Sequence, residues 1–247
     1  MRDVLRAEWL KAWSGRTWWI MLLVGLFLGL LGASGAAAAA DVQIDDGTTD
    51  AVAGSAEVVR AWFSTLLASM LFGAVFVTRE YGAGAISRSV LLSGSRSRLL
   101  AAKTLVGTGM GALLAAVATL CAPLSLWLFF PMFGIDAHWS RDASLTLLGV
   151  FAVITLAAPW GVLLGWILRN QAATIATLLV VTLFVDEGLH ALLPEAGRFT
   201  MQVAMGTVYR DDKNMALDLP YALLVIAAWL ALAGFTARRL FTRRDVT

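Results

Sequence analysis

Apolar residues fall into long blocks along this chain, separated by short polar segments, with no sustained alternation of the kind that marks a half-buried strand. A helix needs roughly 20 predominantly apolar residues to cross the hydrocarbon of a bilayer. Blocks near that length run from about 18 to 40, 61 to 78, 104 to 130, 145 to 168, 172 to 189 and 220 to 237. The pattern predicts an all-α, polytopic membrane protein with six transmembrane helices in a single transmembrane domain over 1–247. Pro123 and Pro159 fall inside the third and fourth blocks, where neighbouring helices can satisfy the freed backbone groups. The fifth block is the least regular, because Ala172 is followed by Asp186 and Glu187 after fourteen residues, a helical length of only about 21 Å. Either that helix continues to Leu193 with its acids buried, or it ends short beneath an ordered outer loop.

Composition agrees with lipid as the solvent. Hydrophobic residues make up 59% of the chain, charged residues only 15%, and the mean hydropathy is +0.77. A soluble domain carries about 25% charged residues. The loops then set the orientation, because basic residues concentrate on the cytoplasmic side. With the N-terminus inside, fourteen of the nineteen Lys and Arg residues are cytoplasmic, among them Arg79, Arg88, Arg96, Arg98, Lys103, Arg169 and Arg244. Five, Arg60, Arg141, Arg198, Arg210 and Lys213, are outside. Both termini are therefore expected in the cytoplasm, with the protein in the inner (plasma) membrane. A rival reading treats the basic start, the apolar core Trp18–Leu31 and the small-residue tract Gly32–Ala40 as a signal peptide with a cleavage site before Asp41.

Between the spans, two segments carry information. Residues 1–16 place Leu5, Trp9, Ala12 and Trp13 on one helical stripe, with Glu8 and Lys11 beside it. That fits an interfacial helix, and a frayed basic tail is the plainer account. The inner loop 79–103 is far longer than a turn requires. Ile86, Val90 and Leu91 recur at helical spacing, and Ser93-Gly94-Ser95 supplies a stop. A short helix on the cytoplasmic face, hydrophobic on one side, would offer a docking surface to a soluble partner. A solvated basic loop fits the same composition. The outer region 190–219 includes the apolar stretch Phe199–Val208, bounded by Arg198 and Arg210, which suits a short re-entrant or surface helix as well as it suits a plain loop. Glu57 and Arg60, three residues apart, read as a surface ion pair.

A basic EWLK near the start, the Trp pair opening the first span and the loop REYGAGAISRSVLLSGSRSRLLAAK resemble small ABC-2-type exporter permeases. Within the loop the likeness rests on Glu80, Gly82 or Gly84, Val90-Leu91-Leu92, Ser93-Gly94, Ser97-Arg98 and Lys103. One departure is Ser93-Gly94, where such permeases commonly have a proline at the turn. The resemblance implies that Arg79, Glu80, Tyr81, Gly82, Ile86, Arg88, Val90 and Leu91 form a coupling surface for a separate ATP-binding subunit, present in two copies. It also implies a second permease chain, identical or related, and no nucleic-acid partner. ATP and Mg would bind the partner subunit, and this chain itself would hold no cofactor and perform no catalysis. Asp186 and Glu187 are candidates for an outer gate, because carboxylates at membrane depth are functional by default. An interfacial position would make them ordinary polar residues.

Motif absences narrow the alternatives. The sequence has no G-x-x-x-x-G-K-[ST], so it cannot cradle ATP phosphates itself. H-E-x-x-H and a nucleophile elbow are likewise missing, and one cysteine, Cys121, with two histidines excludes an intrachain disulfide and a Cys- or His-rich metal site. Gly107-Thr108-Gly109-Met110-Gly111 opens a span instead of following a strand, so it reads as close helix packing through Gly107 and Gly111. Few fixed charges in the spans favour an amphipathic or hydrophobic substrate such as an antibiotic, peptide or lipid. An ion- or proton-coupled carrier, and a membrane enzyme or scaffold, remain the alternatives.

Overall fold

The computed structural model describes residues 1–211 and 217–243, and no strand occurs among them. Lys213 and Arg244, used above for orientation, lie outside the described residues. Among the described residues, six helices are long and apolar enough to cross a membrane. These are α2 (Arg16–Asp45), α3 (Ala51–Gly82), α5 (Arg96–Phe133), α6 (Arg141–Leu168), α7 (Gln171–Leu192) and α10 (Leu219–Arg243). Four shorter helices join them: α1 (Arg2–Ser14), α4 (Ile86–Ser93), α8 (Pro194–Gly197) and α9 (Met201–Val208).

Most spans outrun their apolar blocks, because helices continue into polar residues where capping groups allow. Asp50 accepts the N–H of Ala53 and starts α3 ten residues before the apolar run, and Ser140 accepts the N–H of Ala143 at the head of α6. Helix α2 passes unbroken through Ala40 and Asp41. Helix α7 does not stop at its acids: it widens into a π-helical segment at Val181–Val185 and runs on through Asp186. The short ending of the fifth span is thus corrected.

The bundle is centred on α3 and α6, which approach almost backbone to backbone. A methyl group at Gly161 would overlap the carbonyl oxygen of Met70, and one at Gly73 would overlap that of Ala158. Such small-residue contacts allow the van der Waals packing on which helix association in lipid depends. Helix α5 joins this core as its glycines predict: a Cβ at Gly107 would come within 2.6 Å of Val162 Cγ2, and one at Gly111 within 2.6 Å of Ala158 Cβ. Polar bridges lie between the spans. Thr65 Oγ1 donates to the Gly25 carbonyl at 3.1 Å, Trp62 Nε1 to Ser125 Oγ at 2.9 Å, and Ser69 Oγ to the Ile154 carbonyl at 2.6 Å. Helices α2, α7 and α10 leave wide apolar faces exposed, including Leu23, Phe27, Leu183, Phe184, Leu224 and Phe235.

Candidate functional site: a coupling surface on a buried charge cluster

Helix α4 forms where the loop pattern placed it. Ile86, Ser89 and Ser93 face inward, with Val90 packed against the core, so one narrow stripe seats the helix. Gly94 ends it at φ +75°, the left-handed conformation that glycine adopts without steric cost. Ser95 then accepts the N–H of Arg98 at 3.2 Å and caps α5. Glycine followed by a capping serine reverses the chain with no need of proline.

The outward face of α4 carries Arg88, Leu91 and Leu92. Leu91 is 81% exposed and Leu92 79%, two large apolar side chains beside a cation. Gly82 is exposed as well. The other residues assigned to the surface lie deeper. Ile86 and Glu80 are buried, while Arg79, Tyr81 and Val90 are partly covered. Ile86 supplies the apolar contact that seats the helix, and Glu80 is consumed by an ion cluster, so neither belongs to the exposed surface.

That cluster joins four elements. Lys103, on α5, is fully buried (0% exposed), and its Nζ lies 2.6 Å from Glu8 Oε2 on α1 and 2.8 Å from Glu80 Oε1 on α3. Lys11 adds a second cation, 2.7 Å from Glu8 Oε1 and 3.2 Å from Glu80 Oε1. Its Nζ also donates to Ser89 Oγ on α4 at 3.2 Å, which ties the surface helix to the cluster. The Lys103 ammonium sits 4.3 Å from the centre of the Phe76 ring. Two cations face two carboxylates, so the group is neutral as a whole, the arrangement that makes buried charge tolerable. Burial pulls the Lys11 ammonium down, but Glu8 and Glu80 outweigh it and hold its pKa above the ordinary lysine value.

The same cluster fixes α1. Arg79 donates to the Lys11 carbonyl at 3.0 Å, occupying an acceptor near the helix end. The N-terminal segment is therefore a docked helix, and the frayed-tail reading is corrected. Its inward face carries Glu8 and Ala12, while Trp9 and Trp13 are partly exposed. Trp13 stacks on Trp18 with ring centres 5.7 Å apart.

A second clamp closes the same end of the bundle. Arg96 donates to the carbonyls of Phe241 and Thr242 at 2.8 and 3.2 Å, and Arg169 to that of Leu240 at 3.2 Å. Both guanidinium groups thus cap the last turn of α10, where cations are favoured. Trp166 packs between Tyr81 and Phe241, with ring centres 5.9 and 4.4 Å away.

The remaining charged candidates lie elsewhere. Asp186 is 6% exposed and accepts the N–H of Gln202 at the head of α9 at 3.3 Å, so its carboxylate is enclosed by protein. Glu187 follows it on α7, and its side chain falls outside the described residues. Arg60 is buried beside a half-exposed Glu57, which corrects the surface-pair reading for the cation. The stretch Phe199–Val208 contains helix α9, largely buried, so a plain loop is excluded there. Sequence reasoning missed the partnership of Glu8 with Lys103. Its available signal was a lysine at the edge of an apolar block, which must find a carboxylate if the helix buries it.

No curated protein matches the chain. A family model described as ABC-2 family transporter protein matches residues 4–185, a stretch that contains most of α1, the loop helix and every member of the charge cluster. Membrane proteins of this family generally work with ABC ATP-binding subunits. The chain therefore belongs to the ABC-2 transporter family, as a multi-pass transport permease.

Proposed function

We propose that this chain is the transmembrane half of an ATP-driven exporter, with two copies of a separate ATPase subunit docking on α4. The observation that carries the reading is the pair Leu91 and Leu92, exposed together with Arg88 on a helix anchored from below by buried charge. A monomeric soluble surface rarely leaves such residues uncovered without a partner. In this reading α4 and both termini face the cytoplasm across the inner membrane, in accord with the distribution of Lys and Arg. A second permease chain, identical or related, completes the pathway against the exposed faces of the spans.

ATP and Mg bind the partner. Closure of the ATPases on ATP displaces α4, and Ser89, Lys11 and Glu80 carry the displacement into α1 and α3 as one rigid unit. A packed element of this kind passes from one discrete arrangement to another, as rigid-body switching requires. The substrate is amphipathic or hydrophobic, an antibiotic, peptide or lipid, moved along walls poor in fixed charge.

The test is co-purification from the native membrane in mild detergent, with mass spectrometry and an ATPase assay. A stoichiometric subunit carrying a P-loop is expected, lost in Leu91→Asp/Leu92→Asp but kept in Leu192→Asn, an exposed position at the opposite end of the bundle. A chain that purifies alone in several detergents returns the function to a carrier or scaffold.

A further inference from the structure

A groove of about 360 Å³ opens between α1 and α5, at the end of the bundle that carries α4. Leu5, Arg6 and Trp9 form one wall, and Leu105 and Val106 the other. Trp9 closes it on the α5 side: a Cβ at Gly109 would come within 2.9 Å of the indole, which therefore lies against bare backbone. Leu105 and Val106 are the second and third residues of the apolar block that begins at Thr104. The groove thus opens where α5 enters the hydrocarbon, and Leu105, 57% exposed, is left for a bilayer component to cover.

Arg6 gives this apolar slot a charged rim. It is exposed, as is Arg2 one turn earlier, and neither forms an ion pair with any carboxylate among the described residues, Asp3 included. Lys11, by contrast, is taken up by Glu8 and Glu80. Arg2, Arg6, Trp9 and Trp13 recur at i, i+4, i+7 and i+11, so two guanidinium groups and two indoles share one side of α1. Trp13 also meets Trp19 edge-on, with ring centres 6.0 Å apart, and Trp19 is 53% exposed, which carries the aromatic edge onto α2. Indoles favour the headgroup level of a bilayer, and unpaired cations beside them favour an anionic one.

We infer that the groove holds one anionic phospholipid, an acyl chain lying along Leu5, Trp9 and Leu105 and the phosphate on Arg6 and Arg2. A guanidinium free of other partners offers phosphate two parallel hydrogen bonds. A zwitterionic lipid carries the same phosphate but brings a cation against the same arginines, so it binds less well. The lipid braces, from the membrane side, the helix whose Lys11 holds α4 through Ser89. Naming the leaflet as cytoplasmic rests on the reading that α4 faces the ATPase, but the binding does not, and its readout involves neither ATP nor transport.

The experiment is native mass spectrometry of the full chain in detergent, titrated with phosphatidylglycerol, phosphatidylcholine or soluble glycerol phosphate. One saturable phosphatidylglycerol per chain is expected, with phosphatidylcholine bound more weakly. A cation near an anionic headgroup is worth about fivefold in affinity, so Arg6→Gln weakens phosphatidylglycerol by about that factor and Arg2→Gln/Arg6→Gln by about 25-fold. Both side chains are exposed, so these variants fold. Arg141→Gln, which removes an exposed cation at the opposite end of the bundle, keeps the full affinity. Leu105→Trp fills the groove and weakens both lipids. Equal binding of the two lipids, an unchanged affinity in Arg6→Gln or Leu105→Trp, or an equal loss in Arg141→Gln overturns the proposal. Competition by glycerol phosphate at the affinity of the lipid overturns it in favour of a soluble anion. A chain that purifies without an ATPase still binds the lipid if the site is real, so the two readings fail separately.

Discussion

Replacing Lys103 with methionine keeps the length and packing of the side chain and removes one charge. The ammonium is fully buried between Glu8 Oε2 at 2.6 Å and Glu80 Oε1 at 2.8 Å. Without it, two enclosed carboxylates share only Lys11, whose contact with Glu80 is 3.2 Å long. Removing one partner of a buried pair costs about 3–5 kcal/mol, because the remaining charge is stranded. At roughly 2–4 °C per kcal/mol for a chain of this size, the thermal midpoint falls by about 6–20 °C. Intrinsic fluorescence of the ten tryptophans follows it in detergent, with Trp13 and Trp18 reporting directly on α1. Adding Glu8→Gln to Lys103→Met restores a balance of one cation and one anion and recovers much of the loss. Such non-additivity is the signature of direct contact. A loss no larger than about 0.5 kcal/mol, the range of an unremarkable surface substitution, or a double variant whose loss is the sum of the two singles, refutes the cluster as the anchor of α1.

Three further outcomes follow from other contacts. Gly161→Val drives a branched side chain into the Met70 carbonyl and separates α3 from α6, so the chain is expected to aggregate or lose most of its thermal midpoint, measured by fluorescence-detected size exclusion. Arg169 ends α6 at φ +56° while its guanidinium caps α10. Arg169→Ala keeps the strain and loses the cap, whereas Arg169→Gly loses the cap but relieves about 1 kcal/mol of backbone cost, so the glycine variant should melt higher than the alanine one. For Lys11, the folded pKa lies above the ordinary value near 10.4, so its contribution is fully present below that pH and lost as pH rises through the raised value. The midpoint difference between the native chain and Lys11→Met should stay constant from pH 7 to 9.5 and shrink only at higher pH; a difference already falling at pH 8 contradicts the assignment.

What the sequence makes legible is what short-range physics controls. Block length gives the spans, and Gly94 with Ser95 marks where the loop helix ends, because cap chemistry is local. Tertiary pairing is another matter. Glu8 and Lys103 are 95 residues apart, and nothing in either segment names the other. Charge patterning shows a lysine at the edge of a span but not the depth to which it is drawn in. The same reason hides Ile86 and Glu80: helical spacing identifies an apolar stripe without saying whether it faces the bundle or a partner. The inward stripe proved to be Ile86, Ser89 and Ser93, which leaves Leu91 and Leu92 outward. Asp186 misleads a length argument because its enclosing surface comes from α9, a helix reached only after a further turn of chain.

The most direct test of the central claim is site-specific cross-linking at Leu92→Cys, in a Cys121→Ser background that leaves no other thiol. A short bifunctional reagent applied to native membranes should join the chain to one nucleotide-binding polypeptide, with a yield that changes when ATP is added. Leu192→Cys, exposed at the opposite end of the bundle, should give no such product. If Leu92→Cys reacts freely with a water-soluble thiol reagent and never forms the adduct, α4 is uncovered in the cell and the coupling account is contradicted.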